Sequence, residues 1–190
     1  MLYAILAVLL VVLDQAVKFA VRANIDLGRS VPFIPHVLDL AHLQNTGAAF
    51  SILESHTWLL TLSSLAVVLV LCWLAVNGFF QNALGRVSAA LVLAGGVGNL
   101  IDRAVFGFVT DMFRTTFIDF PVFNVADCCV TVGVPLLLAY VLLDVAREGK
   151  TQTPDGPRGE TETAENAGTD GEPEKEEEAN ASAQLPPDGE

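Results

Sequence analysis

Apolar and polar residues separate along this chain into four long apolar runs and a polar C-terminal end. The clearest run covers residues 58–76, nineteen positions without a charged side chain, with Trp58 and Trp73 near its two ends. A helix of about 20 residues crosses the hydrocarbon core of a bilayer, and tryptophan favours the two interfaces. Three further runs cover about residues 1–21, 87–103 and 128–146. The pattern predicts an all-α membrane protein with four transmembrane helices.

The first apolar run, residues 1–21, also has the length of a secretory signal peptide. It lacks a basic segment at its start, and its apolar part contains Asp14 and Lys18. A cleaved signal has a basic start and an uncharged core. We therefore interpret this run as a membrane span.

Four spans put both chain ends on one side of the membrane, with loops 22–57 and 104–127 together on the other. The first loop contains VPFIPHVLDLAHL and AAFSIL, which are apolar and β-branched enough for short strands, and its prolines favour an edge position. We interpret residues 1–148 as one membrane domain with a small extracytoplasmic β-rich cradle. Basic residues orient this topology weakly, since three lie near the spans on each side.

Residues 149–190 differ from the rest of the chain in composition. They hold 12 of the 22 acidic residues against 3 basic ones, with one leucine and no aromatic residue. Such a segment cannot bury enough apolar surface to offset its ordering entropy, so we predict a disordered acidic tail. The acidic balance of the chain, with a net charge of −12, argues against a nucleic-acid partner, because phosphate binding needs a basic face.

Six of the ionisable residues within or beside the apolar runs are candidates for a functional site. Charges are costly in hydrocarbon, and by default they mark functional sites. Each also has a structural explanation: a pair four positions apart on one helix face neutralises itself, and a pair at a span end anchors the helix at the interface. The six residues are Asp14, Lys18, Asp102, Arg103, Asp111 and Asp127.

Asparagines and glycines near these charges have two interpretations as well. Asn124 and Asp127 bracket the start of the fourth run, where either residue serves as a helix N-cap. Asn45 and Gly47 are typical of a turn. The glycines of GGVGN, residues 95–99, are typical of close packing between membrane helices.

Carboxylates gather at one membrane face in the four-span topology. Asp102 and Asp111 follow the third run, and Asp127 precedes the fourth. Two carboxylates at close range share one proton, which separates their pKa values. One can then accept a proton from water while the other donates one to a substrate carbonyl oxygen, as peptide hydrolysis without a covalent intermediate requires. The pattern indicates such a pair.

Other hydrolytic chemistries fit the sequence less well. The chain has no HExxH and no GxSxG motif, and His36, His42 and His56 lie in the first loop without metal-ligand spacing. Its three cysteines form no CxxC motif. We therefore predict neither a metal ion nor a cofactor.

Five blocks in order resemble those of lipoprotein signal peptidases, the type II signal peptidases of bacteria. The blocks are LDQAVK at 13–18, NTGAAFS at 45–51, GGVGNLIDR at 95–103, VTDMF at 109–113 and FNVAD at 123–127. The resemblance implies a four-helix aspartyl endopeptidase of the bacterial inner membrane, with both termini cytoplasmic. It implies as partners membrane lipids and a prolipoprotein that carries diacylglycerol on a cysteine. Cleavage would fall just before that cysteine.

The resemblance also assigns residues to the site. It implies Asp111 and Asp127 as the catalytic pair, and Asp102 and Asp119 are the two alternatives to Asp111. It tolerates Thr110 and Met112 where the family pattern has Val and Phe. Nine further matching positions are implied to hold the pair and the substrate in place. They are Asp14, Lys18, Asn45, Gly47, Asn99, Asp102, Arg103, Asn124 and Ala126.

Two functions of other classes compete with peptidase activity. An ion-coupled transporter with Asp14, Asp102 and Asp111 as a relay predicts carboxylates spread along a transmembrane path. A non-catalytic membrane scaffold predicts that Asp→Asn changes leave function intact. The peptidase predicts carboxylates clustered at one face.

Overall fold

Four long helices and a three-stranded sheet make up the fold. The computed structural model describes residues 1–47 and 57–151, with the elements α1 (Leu2–Asn24), β1 (Ser30–Ile34), β2 (Leu38–Asn45), α2 (Thr57–Val76), α3 (Ala83–Phe106), β3 (Val109–Thr115) and α4 (Val125–Thr151). Each of these helices has the length and hydropathy to cross a membrane. The predicted fold class, four membrane helices with a small β-rich part, is confirmed.

Each helix coincides with the apolar run that predicted it, and α3 and α4 extend beyond both ends of their runs. α3 begins at Ala83 rather than near residue 87, because the side-chain oxygen of Asn82 caps it by accepting a hydrogen bond from the Gly85 backbone N at 2.9 Å. α4 continues to Thr151, so the first residues of the predicted tail are helical. The rest of that tail lies outside the described residues.

α3 is the central helix and contacts the other three. Small residues permit this close approach: a Cβ at Gly98 would lie 2.7 Å from Asp14 Oδ2 and 3.1 Å from the Ala126 Cβ. A Cβ at Gly95 would collide with the Ala126 carbonyl oxygen. The close-packing interpretation of these glycines is confirmed, and their absence of side chains brings α1 and α4 together across α3.

The sheet has the strand order β1-β2-β3 and is antiparallel throughout. The strands expected in the first loop are β1 and β2, and Pro32 lies in the edge strand β1 as predicted. The AAFSIL segment lies outside the described residues, and β3 was not predicted as a strand. β3 pairs Asp111 with Leu43 and Val109 with Asn45. This register brings the end of β2 beside the first half of β3.

A two-residue connection joins α3 to β3. Gly107 ends α3 with a φ of 77°, in the left-handed region that a residue without Cβ adopts readily, and its N–H donates to the Arg103 carbonyl at 3.1 Å. β3 begins two residues later, at Val109. The sheet therefore lies at the end of the bundle where α1 and α3 finish and α2 and α4 begin, which we call the sheet end.

Substituting Gly95 with alanine should destabilise the helix bundle. The new Cβ meets the Ala126 backbone oxygen and Val130, which cannot move without separating α4 from α3. Overpacking of this kind costs about 1–3 kcal/mol. We expect a lower thermal unfolding midpoint for the purified variant in detergent. The matched control is Gly96→Ala, whose Cβ meets only a methyl group of Val68, at 3.0 Å. Equal midpoints for the two variants would contradict the packing argument.

Candidate active site

Asp111 and Asp127 lie together at the sheet end although they belong to different elements. Asp111 is in the middle of β3, and Asp127 is in the first turn of α4. Asn124 joins them: its Nδ2 donates to Asp111 Oδ1 at 2.7 Å, and its backbone N donates to Asp127 Oδ2 at 3.2 Å. One residue therefore holds both carboxylates side by side.

Two further asparagines bind the outer oxygens of this pair. Asn45 Nδ2 donates to Asp111 Oδ2 at 2.9 Å, and Asn99 Nδ2 donates to Asp127 Oδ1 at 2.8 Å. Each of the four carboxylate oxygens thus accepts one N–H. Such bonds fix the plane of each carboxylate while leaving further lone pairs for a water molecule or a proton.

The amide groups of these three asparagines are themselves oriented. Each amide oxygen accepts a hydrogen bond from a group that can donate but cannot accept. The amide oxygen must therefore face that group, and the amide nitrogen faces a carboxylate. The donors are the Gly47 backbone N for Asn45, Lys18 Nζ for Asn99 and the Asp127 backbone N for Asn124, at 2.9, 2.9 and 2.8 Å.

The carboxyl group of Asp111 can carry a proton at a pH not far below neutral. Its pKa is raised to about 6, mainly by burial and also by the charge of Asp127, while the hydrogen bonds from Asn45 and Asn124 partly offset the increase. Its side chain is almost fully buried. A carboxyl group in this environment can exchange a proton at physiological pH, as general acid–base chemistry requires.

A buried ion cluster lies behind the pair. Lys18 Nζ is 2.9 Å from Asp14 Oδ2 and 3.5 Å from Asp102 Oδ2, and all three side chains are buried. The predicted pairing of Asp14 with Lys18 on one helix face is confirmed. However, the same ammonium also reaches Asn99 and therefore Asp127. The pair is therefore an ion pair within α1 and is also part of the hydrogen-bond network around Asp127.

The two carboxylates of the cluster hold the backbone beside the two carboxylates of the pair. Asp14 Oδ1 accepts the backbone N–H of Ala126, next to Asp127, at 2.8 Å. Asp102 Oδ2 accepts the backbone N–H of Thr110, next to Asp111, at 2.8 Å. Each main-chain segment of the site is thereby attached to a buried anion.

Three residues of this network were not assigned to the site from the sequence: Gln15, Arg22 and Thr110. Gln15 Nε2 donates to the Gly98 carbonyl at 3.0 Å, which joins α1 to α3. Arg22 Nη1 donates to Thr110 Oγ1 at 2.9 Å, lies 3.5 Å from Asp102 Oδ1, and its guanidinium stacks on Phe106. The spacing of residues 14, 18 and 22 was the available signal, because it places all three on one helix face.

The two alternative acids occupy different environments. Asp119 is exposed and does not line the cavity described below. Asp102 is fully buried, and its oxygens are taken up by Thr110, Lys18 and Arg22. Among the described residues, no group of three or more His, Cys, Asp or Glu side chains is arranged to hold a metal ion.

A cavity of about 900 Å³ opens onto the pair. Its polar wall includes six of the residues assigned from the sequence, and its apolar wall includes the segment 120–123 and residues of α4. Arg103 lines this cavity, and its buried Nε has no hydrogen-bond partner among the described residues. The six residues are Asn45, Gly47, Asn99, Arg103, Asp111 and Asp127. The other five, Asp14, Lys18, Asp102, Asn124 and Ala126, lie behind this wall.

Comparison with known proteins agrees with this architecture. A family model described as signal peptidase (SPase) II matches residues 6–143. The chain is 42% identical to a lipoprotein signal peptidase of Enterococcus faecalis over 153 residues, which is 80% of this chain and 95% of that protein. It is 43% identical to the lipoprotein signal peptidase of Lactiplantibacillus plantarum over 143 residues, 75% of this chain and 95% of that protein.

Solved structures show the same fold. A bacterial membrane enzyme solved by the in meso method aligns with a TM-score of 0.70 and 30% identity, over 84% of this chain and 94% of that one. The sequence and the fold together define a bacterial multi-pass membrane peptidase. The chain belongs to the signal peptidase II family, as the resemblance of its five blocks predicted.

Replacing Lys18 with methionine should strongly destabilise the protein. The change leaves Asp14 and Asp102 buried without their shared cation, and an uncompensated buried charge costs about 3–5 kcal/mol. We expect a large loss of unfolding free energy in detergent. The matched control is Arg114→Met, which breaks the exposed ion pair with Asp39 and should cost about 1 kcal/mol or less. A Lys18→Met variant as stable as this control would refute the role of the cluster.

Stability should fall as the pH rises from about 4 to about 6. The pKa of Asp111 is raised in the folded state to about 6 from 3.8, so the folded protein binds more protons than the unfolded chain in this window. The stabilisation is complete below pH 4 and is lost as the pH passes through the folded pKa. At about 1.4 kcal/mol per pKa unit, the loss is on the order of 2–3 kcal/mol.

The Asp111→Asn variant isolates this effect because its side chain does not titrate. We expect the unfolding free energy of the wild type, measured relative to the variant, to decline across the window from pH 4 to 6. A difference between the two proteins that stays constant from pH 4 to 7 would show that the Asp111 carboxyl is not buried with a raised pKa.

Proposed function

We propose that this protein removes the signal peptide from diacylglyceryl-modified prolipoproteins by cutting just before the lipidated cysteine. Asp111 and Asp127 act as an aspartyl pair that activates a water molecule. The observation that carries the proposal is Asn124, which hydrogen-bonds both carboxylates where they face one cavity. The relatives named lipoprotein signal peptidase support the substrate class.

The pair supplies both proton transfers of the reaction. One ionised carboxylate takes a proton from water as the water oxygen attacks the scissile carbonyl carbon, and the protonated partner gives its proton to the carbonyl oxygen. When the tetrahedral intermediate collapses, the C–N bond breaks and one carboxyl group of the pair gives its proton to the leaving amine. The other carboxylate takes a proton from a hydroxyl group of the intermediate as the carbonyl re-forms. The products are a carboxyl group and an amine, and the pair again holds one proton.

The charges around the site support a singly protonated pair. Four carboxylates face three cations, so the group carries one negative charge in excess when every member is ionised. One proton on the pair removes that excess, which is favourable because a net charge is costly in a poorly solvated site. The carboxylates are Asp14, Asp102, Asp111 and Asp127, and the cations are Lys18, Arg22 and Arg103.

Arg103 is suited to bind the substrate backbone. Its side chain lines the cavity with Asp111 and Asp127, and its buried Nε has no hydrogen-bond partner in the part of the chain that the structure describes. A guanidinium donates only, so its complement is a carbonyl oxygen. Such a contact beside the scissile bond orients the substrate without entering the proton transfers, and correct orientation is a large part of catalysis.

The lipid part of the substrate fits the membrane setting. Diacylglycerol chains that stay in the bilayer hold the modified cysteine at a fixed depth, so the scissile bond meets the pair at the sheet end. In this arrangement the sheet is extracytoplasmic and both termini are cytoplasmic. Membrane lipids are then part of the binding site, and the reaction uses no cofactor.

An ion relay is less well supported than hydrolysis. The three aspartates of such a relay, Asp14, Asp102 and Asp111, belong to one connected network at the sheet end rather than to a series along a membrane path. Backbone N–H groups and cations already contact Asp14 and Asp102, so a relay through these residues would have to break those contacts.

Cleavage of a purified diacylglyceryl-modified prolipoprotein tests the proposal. We expect the wild type in detergent to cut before the modified cysteine and to leave the unmodified precursor intact. Asp111→Asn and Asp127→Asn should each lower the rate at least about 100-fold, since each removes a proton-transfer group. The matched control is Asp119→Asn, which changes an exposed acid on the same connection and should keep full activity.

Three outcomes would contradict this assignment. A folded wild type that leaves the modified precursor uncut would refute the proposed activity. Full activity in a folded Asp111→Asn or Asp127→Asn variant would remove that residue from the pair and favour the scaffold interpretation of the site. Loss of activity in Asp119→Asn alone would make Asp119 the catalytic partner.

A further inference from the structure

Serine and threonine hydroxyls in the described membrane helices of this protein usually bond to a backbone carbonyl, most often one of their own helix. Thr61 donates to the Thr57 carbonyl at 2.8 Å, Ser63 to the Leu60 carbonyl at 3.0 Å and Ser88 to the Gly85 carbonyl at 3.0 Å. This is the usual solution in an apolar environment, where an unpaired hydroxyl is costly. A helical hydroxyl without such a bond therefore needs another partner.

Ser64 and Thr131 are the exceptions within the described residues. Both line the cavity that opens onto Asp111 and Asp127, yet neither hydroxyl makes a hydrogen bond to the described part of the chain. Ser64 is in α2 and Thr131 in α4, so the two residues approach the cavity from different helices. Gly96 of α3 also lines the cavity and adds no side chain to fill it.

Both residues lie further along their helices from the sheet end than the carboxylate pair, with Ser64 half-buried and Thr131 exposed on the helix bundle. Thr131 follows Asp127 by one helical turn on the same face of α4, about 6 Å further from the sheet end. Ser64 is seven residues into α2, about 10 Å from the start of that helix. The acyl chains and the signal peptide of a substrate both enter the membrane at this depth. Of the two, the signal peptide carries the backbone N–H and C=O groups that a hydroxyl can bind, on the signal-peptide side of the cleaved bond.

That part of the substrate arrives with unpaired backbone groups. A signal peptide that ends as a helix at the cleavage site leaves the C=O groups of its last turn without partners, and the extended residues that follow leave further N–H and C=O groups unpaired. In a largely apolar cavity each such group costs free energy. A hydroxyl can accept one N–H and donate to one C=O, so two hydroxyls can satisfy several of these groups.

We propose that Ser64 and Thr131 are positioning residues that hydrogen-bond the substrate backbone on the signal-peptide side of the scissile bond. The inference rests on the proposed function and adds a pair of contacts to it. Because the hydroxyls bind the main chain, they position the scissile bond relative to the carboxylate pair. This positioning does not depend on the side chains of the signal peptide.

Substitutions that remove one hydroxyl group at a time test the two contacts. Ser64→Ala and Thr131→Val should each lower kcat/KM for the diacylglyceryl-modified precursor about 3- to 10-fold, the range for loss of one neutral hydrogen bond. Thr131→Ser should keep most of the wild-type value because it restores the hydroxyl. The matched control is Ser63→Ala, which removes a neighbouring exposed hydroxyl that already bonds to its own helix. Thermal midpoints of all variants should remain near that of the wild type.

A substrate series separates a backbone contact from a general packing effect. Each amide on the signal-peptide side is replaced in turn by an ester, which removes one N–H. At one or two positions we expect the ester to slow the wild type but to cause no further loss with Thr131→Val or Ser64→Ala. An equal further loss at every position would show that the hydroxyls do not bind the backbone.

The remaining outcomes distinguish this inference from the proposed function. If the wild type cleaves the precursor while Ser64→Ala and Thr131→Val both match Ser63→Ala, the hydroxyl contacts are refuted and the peptidase activity stands. If the folded wild type leaves the modified precursor uncut, the proposed function fails and the inference fails with it.

Discussion

The buried ammonium group of Lys18 is the interaction on which the rest of the site depends. It contacts Asp14 and Asn99 at 2.9 Å and Asp102 at 3.5 Å. Each of these partners leads to a candidate catalytic segment: Asp14 to the start of α4, Asp102 to β3, and Asn99 directly to Asp127. An ammonium group with no exposed surface must remain among its anions. One cation from α1 therefore fixes three separate parts of the chain relative to one another.

The cluster acts on the site mainly through backbone N–H groups. Asp14 and Asp102 bind the main chain of Ala126 and Thr110, each one residue before a carboxylate of the pair. A backbone amide cannot rotate away as a side chain can, so its position survives changes in the neighbouring side chain. This accounts physically for the presence of Thr110 where the family pattern has valine. The side chain differs, but the N–H that holds β3 is common to every residue except proline.

The length of the apolar runs was enough to predict the four helices, because the thickness of the hydrocarbon core sets the length of a membrane helix. Helix ends were predicted less well: α3 begins at Ala83 because Asn82 caps it, and the polar residues there were counted as loop. The charged residues of the site stood out against apolar sequence. Arg22 did not, because a charge near a helix end is ordinary. Gln15 did not, because an uncharged amide in a helix is ordinary until the fold brings α3 beside it. The orientation of the asparagine amides likewise depends on donors that are distant in sequence.

The ion pair between Asp14 and Lys18 also bears on how such a protein enters the membrane. Both charges sit on α1, four residues apart, and α1 leaves the ribosome before α3 and α4 exist. A bare lysine or aspartate in this helix would oppose its partition into lipid. Because the two groups pair within one helical turn, their charges neutralise each other. The free-energy cost of inserting α1 into the membrane is therefore lower than for either charge alone. The Lys18 cation thus enters the bilayer as part of an ion pair within α1, and the later helices pack around it.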